Sequence, residues 1–338
     1  MRAAPTLPIA LGGTLVVIGA VVASLCIGVY PVPLADVATS IGDLLAGRAG
    51  TSTNSTLILE MRLPRAVAAA CVGASLGTAG CMLQALLRNP LASPFVIGTA
   101  QGAGFGAVLA IVLGLSYAAT ISFGFVMSLI AVAMVLGLAR SRNSLPTESV
   151  VLTGLSISLF FGSLIGLLRY MAHDEGVTGR ISLWMLGGLW QVTWAPLIVV
   201  GPVAAVAIVA SCLLSRHLDL LALGEEDAAR LGVNVRRAGS AVLLLTCVMT
   251  AVAVCIGGIL AFVGLVVPHA ARKLVGPGHS ALMPACACLG ALLVIATDAL
   301  ARTAVPPQEL PLGVVTSLIG VPCFLAIMRS MRSRRGGA

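Results

Sequence analysis

Long apolar runs fill most of the chain, separated by short segments rich in Pro, Gly and charge. Runs suited to membrane spans cover residues 7–29, 66–86, 95–115, 118–139, 149–169, 194–214, 239–258, 260–275, 281–299 and 311–329. A spanning helix needs roughly 20 apolar residues, so the pattern predicts an all-α membrane protein of about ten transmembrane helices. The eighth run is short and interrupted by Pro268. The first, Leu7–Val29, exceeds the 7–15 residue core of a secretory signal and reads as an uncleaved span.

Composition agrees with that pattern. Of 338 residues, 59% are hydrophobic and 9% charged, with a mean hydropathy of +1.07. A soluble domain carries about 25% charged residues, so most of this surface must face lipid. With the N-terminus placed in the cytoplasm, 14 of the 20 Lys and Arg fall on the inner side and 6 on the outer. The positive-inside rule then puts both termini in the cytoplasm. The net charge of +8 thereby reports topology and requires no nucleic acid.

Chemistry is sparse. The one lysine, Lys273, follows Arg272, so no Gly-Lys-Ser/Thr phosphate loop exists and any ATP-driven work belongs to another polypeptide. The nine Cys lie mostly in apolar stretches, and neither their spacing nor their neighbours suit a metal. His173, His217, His269 and His279 fall at or beside loops and read as interfacial side chains, not ligands. The middles of the spans hold almost no ionisable residue, which argues against proton relays. Asp298 and Arg302 sit at a span end, as do Arg62 and Arg65.

The segment 216–237 mixes Leu and Ala with charge and is punctuated by Gly224 and Gly232. It predicts two short amphipathic helices joined by a turn. They could lie in the headgroup layer or dock a soluble partner. The acidic run Glu225-Glu226-Asp227 favours a protein, because anionic lipid would repel it.

The most distinctive stretch is Arg62-Leu-Pro-Arg65, then Gln84-Ala-Leu-Leu-Arg-Asn89-Pro90-Leu91-Ala92-Ser-Pro94 and Gln101-Gly-Ala-Gly104. Pro90 and Pro94 stop a helix and Asn89 can turn it. Further on come Trp184-Met-Leu-Gly187-Gly188 with Trp194, and Leu223-Gly-Glu225 with Ala228 and Leu231-Gly232. Phe262-Val-Gly-Leu-Val-Val-Pro268-His269, Asp298-x-x-x-Arg302 and Glu309-Leu-Pro311 complete the set. In this order they resemble the permeases of bacterial iron–siderophore, haem and vitamin B12 ABC importers, the type II importer fold. The resemblance spans nearly the whole chain. Two departures are Ile259, where the family often has Pro, and Cys323, where it has an aromatic.

The resemblance implies a single permease domain over 1–338 in the bacterial plasma (inner) membrane, with a cytoplasmic coupling segment at 216–237. Its partners would be a second permease copy or paralogue, two cytoplasmic ATPase subunits that bind ATP and Mg, and an extracytoplasmic substrate-binding protein. The chain itself would need no cofactor and do no covalent chemistry. Arg62, Arg65 and Arg302 look like the arginines that dock the binding protein. Leu223, Gly224, Glu225, Glu226, Ala228, Leu231 and Gly232 are similar to the coupling helices. The fifth span resembles the pore-lining helix, with Thr153, Ser156, Ser158, Gly162 and Ser163 along the path and Thr147 and Glu148 at its inner gate; these small residues could equally serve helix packing. The implied cargo is a ferric siderophore, with haem or vitamin B12 as alternatives. A gradient-driven secondary transporter is the main rival, but it calls for intramembrane carboxylates and no docking loop.

Overall fold

The computed structural model describes residues 6–47, 53–139 and 147–335. Among them every expected span contains a helix, and the only β pairing is an isolated bridge between Val305 and Gln308. Hydrocarbon enforces that choice. Each backbone N–H and C=O must be satisfied within the segment, and an open sheet edge cannot do so.

The chain opens with α1 (Thr6–Cys26) and the short α2 (Leu34–Leu45). Next, α3 (Thr53–Thr56), a π-helical turn (Leu57–Arg62) and α4 (Leu63–Leu86) form one continuous run of 34 residues. A 3-10 turn (Pro94–Ile97) leads into α5 (Thr99–Val112), followed by α6 (Tyr117–Leu138), α7 (Thr147–Met171), α8 (Glu175–Leu186) and α9 (Trp194–Leu213). After these come α10 (Ser215–Leu223), α11 (Glu225–Arg230), α12 (Val235–Gly257), α13 (Val263–Val275), α14 (His279–Thr303) and α15 (Leu312–Arg335).

Seven of these runs, built on α1, α4, α6, α7, α9, α12 and α14, are long and apolar enough to cross a membrane. The other three expected spans correspond to α5, α13 and α15. At 1.5 Å per residue, α5 and α13 are each about 20 Å long, short of the roughly 30 Å hydrocarbon core. Helices therefore stand at all ten expected positions, and among the described residues seven of them have the length and composition to cross a membrane. Two helices, α2 and α8, occupy segments expected to be loops.

The centre of the bundle is α4, which packs on α14, α12, α13 and α9. Its most apolar window is 78% buried, against 11% for α1, which lies at the outside. Small residues explain this position. A Cβ on Gly73 would overlap the Gly290 carbonyl of α14, and one on Gly80 would overlap the Gly264 backbone of α13. Lipid provides no hydrophobic drive between helices, so such close backbone approach supplies the packing energy.

The turn expected after α4 is present. The Asn89 side chain accepts from the Leu91 N–H at 2.9 Å, and the Asn89 N–H returns to the Gln84 carbonyl at 3.1 Å. Arg88 takes a left-handed φ of 48° to reverse the chain.

Candidate functional site

At one end of the bundle the start of α4 meets the end of α14. Asp298, with a 1% exposed side chain, receives Arg65 through Nη2 to Oδ1 at 2.9 Å and Nε to Oδ1 at 3.0 Å. Its second oxygen pairs with Nε of Arg302 at 3.1 Å, one helical turn on. Arg65 also reaches Glu309 through Nη1, at 2.9 Å to Oε2. Arg302 donates to the Ser24 hydroxyl at 2.9 Å and the Ile27 carbonyl at 3.1 Å. Arg62 donates to the Leu25 carbonyl at 2.6 Å and to the Tyr30 carbonyl. These guanidiniums stitch the end of α1 and the loop after it onto α4 and α14.

The three arginines were expected to dock the binding protein, a role that calls for exposed cations. The structure brings them together, but it buries Arg62 and Arg302 at 8% and 5% exposure. This corrects their placement. In the low-dielectric end of a helical bundle, a cation lowers its energy by turning to carbonyls and carboxylates instead of snorkelling outward. Only Arg65, with its exposed-side partner Glu309, keeps some access to solvent.

The π turn just before this cluster leaves backbone carbonyls out of the ordinary helical ladder. The Leu59 carbonyl accepts the Trp194 indole N–H at 2.8 Å. The Trp194 noted in the sequence therefore ties the start of α9 to the same end of the bundle.

The expected pathway residues lie along α7. Ser156 and Ser163 occupy its exposed face with Leu152, Leu159 and Leu167, whereas Thr153, Ser158 and Gly162 are half-buried. Each serine donates back to the carbonyl four residues earlier: Ser156 to Leu152, Ser158 to Gly154 and Ser163 to Leu159, all at 2.9 Å. The donors are thus spent inside the helix, and only oxygen lone pairs are presented outward. A Cβ on Gly162 would meet open space. Glu148 is exposed at the start of α7, and the side chain of Thr147 lies outside the described residues.

At the opposite end, α10 and α11 form the predicted helix pair. Leu218, Leu221 and Ala228 are buried against the bundle. Gly224, at φ 126°, makes the corner between the two helices, a conformation that a Cβ would strain. Leu223 and Leu231 are about 60% exposed, and Glu226 and Gly232 are exposed beside them. Glu225 differs: it is half-buried and lines a small cavity with Arg88, Leu221 and Leu243.

Two histidines depart from the interfacial expectation. His279 is 6% exposed and contacts Asp219 of α10 at 2.7 Å. The Nε2 atom of His269 is buried and has no hydrogen-bond partner among the described residues. Neither feature was legible in the sequence, where Asp219 is one acid among several in a polar segment. Among the described residues no group of three His, Cys, Asp or Glu could hold a metal.

A membrane bundle with a buried ionic end, an open hydroxyl-bearing helix face and an exposed helical tip has the parts of an ABC importer permease. Comparison with known proteins gives the same class and narrows it. The chain matches the FecCD transport family over residues 15–330, and it belongs to that family. It is 37% identical to the hemin transport permease HmuU of Yersinia pestis, covering 85% of this chain and 88% of that one. It is 36% identical to the Fe(3+) dicitrate transport permease FecD of Escherichia coli, covering 94% and 97%. A cobalamin import permease, BtuC of Halobacterium salinarum, is 37% identical, with 83% and 76% covered. Among solved structures, an inward-facing metal-chelate type ABC transporter superposes with a TM-score of 0.84 at 31% identity, covering 95% of this chain and 99% of that one. The chain is therefore a non-catalytic, multi-pass permease subunit of an ABC importer, which works with ATPase and substrate-binding partners.

Proposed function

We propose that this permease forms the path for a ferric siderophore across the bacterial plasma membrane, with both termini in the cytoplasm. Two copies, or one copy and a paralogue, would enclose the path and recruit two ATPase subunits and one extracytoplasmic binding protein. The α10–α11 tip carries the reading. Two exposed leucines and an acidic side chain, on helices anchored by buried Leu218, Leu221 and Ala228, suit a groove on a soluble partner. Arg230 is exposed there too and pairs with Asp227 at 4.0 Å. The tip thus carries both signs of charge beside its leucines, which suits a protein surface better than anionic headgroups.

ATP binding in the partner would displace this tip, and α7 and α15 would part first on one side and then on the other. The exposed face of α7 offers lone pairs and space without charge, which suits a bulky chelate held by weak contacts. At the outer end, Arg65 with its Glu309 partner would meet acidic residues of the binding protein. Arg62 and Arg302 would set the shape of that surface from below. Asp298 does not revive a proton-coupled mechanism, because two guanidiniums already neutralise it.

Three of the relatives are named for metal chelates, hemin, ferric dicitrate and cobalamin, and a fourth for molybdate. Uptake of labelled ferric siderophores, hemin and cobalamin into a strain deleted for this chain tests the assignment. A ferric siderophore should be lost and restored by the cloned chain. Loss of hemin or cobalamin uptake alone would replace the siderophore by that cargo.

A further inference from the structure

The contact between Asp219 and His279 joins the coupling segment to a helix that crosses the whole bundle. Oδ1 of Asp219 accepts the His279 backbone N–H at 2.9 Å and lies 2.7 Å from its Nδ1. An ionised carboxylate only accepts, so Nδ1 carries the proton of that bond. His279 opens α14, and the residue at its N-cap is Gly278, which has no side chain to cap with. The first N–H groups of a helix need an acceptor, and negative charge is favoured there. The cap that α14 lacks is supplied by α10, 60 residues earlier.

From that cap α14 runs 25 residues to Thr303, about 37 Å. Near its far end Asp298 holds Arg65 of α4 and Arg302. Between the two ends, α14 is pressed against α4 through the Gly73–Gly290 contact. Pro284 interrupts the ladder of α14 five residues after His279. The contact with α4 beyond it fixes the rest of the helix, so a push at one end is passed on as movement of the two helices together. We propose that Asp219 is a positioning residue. Its bond to His279 passes movement of the coupling segment into α14, and α14 with α4 carries it to the Arg65–Asp298–Glu309 cluster. The proposal rests on the coupling reading of α10–α11 given above.

The test uses the assembled permease–ATPase complex in lipid nanodiscs and in vesicles. Deuterium exchange of α14 is compared with and without ATP–vanadate. Uptake per ATP hydrolysed is measured with whichever labelled ferric siderophore, hemin or cobalamin the parent transports. In Asp219→Ala the ATPase subunits should still co-purify, the nucleotide-dependent change in α14 should vanish, and uptake per ATP should fall at least fivefold. Asp219→Asn keeps an oxygen that can accept from both the His279 backbone N–H and its Nδ1–H, and should retain more than half of the parent ratio. A parent-like α14 response and ratio in Asp219→Ala would overturn the proposal. Should that variant not accumulate, His279→Ala decides the matter. It leaves the backbone cap and removes the ring contact, so a parent-like ratio there overturns the proposal equally. The coupling reading fails separately, if reversing charge at the tip residue Glu226 leaves ATPase recruitment intact.

Discussion

Asp298 is the residue on which one end of the bundle depends. One carboxylate accepts two guanidiniums, from Arg65 and Arg302, with 1% of its side chain exposed. Removing one member of such a group leaves the others charged and buried, at a cost of about 3–5 kcal/mol. Asp298→Ala should therefore lower the thermal midpoint of the detergent-purified permease strongly. Asp298→Asn should do nearly as much harm, because the amide keeps the shape and loses the charge. Glu309 presents the contrast, being 34% exposed. Glu309→Gln should cost less than about 1 kcal/mol, as exposed pairs do. Equal losses at the two positions would show that Asp298 is not the hub. Sequence alone placed both residues in motifs, but the pairing of Asp298 with Arg65 spans 233 positions, and no local periodicity reports it.

At the scale of elements, two glycines of similar appearance in the sequence have opposite roles. Gly80 of α4 faces the Gly264 backbone so closely that a Cβ has no place, whereas Gly162 of α7 faces open space. Gly80→Val should push α4 away from α13, with overpacking costs of about 1–3 kcal/mol or more and a clear drop in monodisperse material on size exclusion. Gly162→Ala should fold as well as the parent, or better by up to about 1 kcal/mol from helix propensity. If Gly162→Ala lowers uptake without lowering yield, that face of α7 serves the path and not packing. The helices were legible because apolar length and small-residue spacing are local signals. Three features escaped for physical reasons. The run through α4 begins at Thr53, well before residue 66, because Glu60 and Arg62 interrupt the apolar pattern while Arg62 turns inward to carbonyls. The helices α2 and α8 are only 12 residues long, too short to register as spans. The trans cap of α14 by Asp219 involves side chains 60 positions apart, which only the folded arrangement brings together.

For the whole molecule, the question is how force enters a chain that cannot hydrolyse ATP. The sequence marks Glu225 and Glu226 alike, as neighbouring acids of one coupling helix. The fold separates them. Glu226 projects from the exposed tip between Leu223 and Leu231, whereas Glu225 is half-buried beside a cavity that Arg88 also lines. Reversing each charge should therefore give different failures. Glu226→Arg should leave the permease as stable and monodisperse as the parent, because that side chain is exposed at the tip. ATPase subunits should no longer co-purify with it, and uptake should fall at least tenfold, since a repelled rim charge acts on encounter and on partner choice. Glu225→Arg instead sets a second cation beside Arg88 in a poorly hydrated pocket. It should lower thermal stability before any effect on the partner is considered. Blue-native electrophoresis and thermal unfolding on both variants separate the cases. Stable permease without ATPase for Glu226→Arg, and destabilised permease for Glu225→Arg, is the expected pair. The reverse pattern would mean that the partner reads the inner side of α11, and that the exposed leucines at the tip meet lipid.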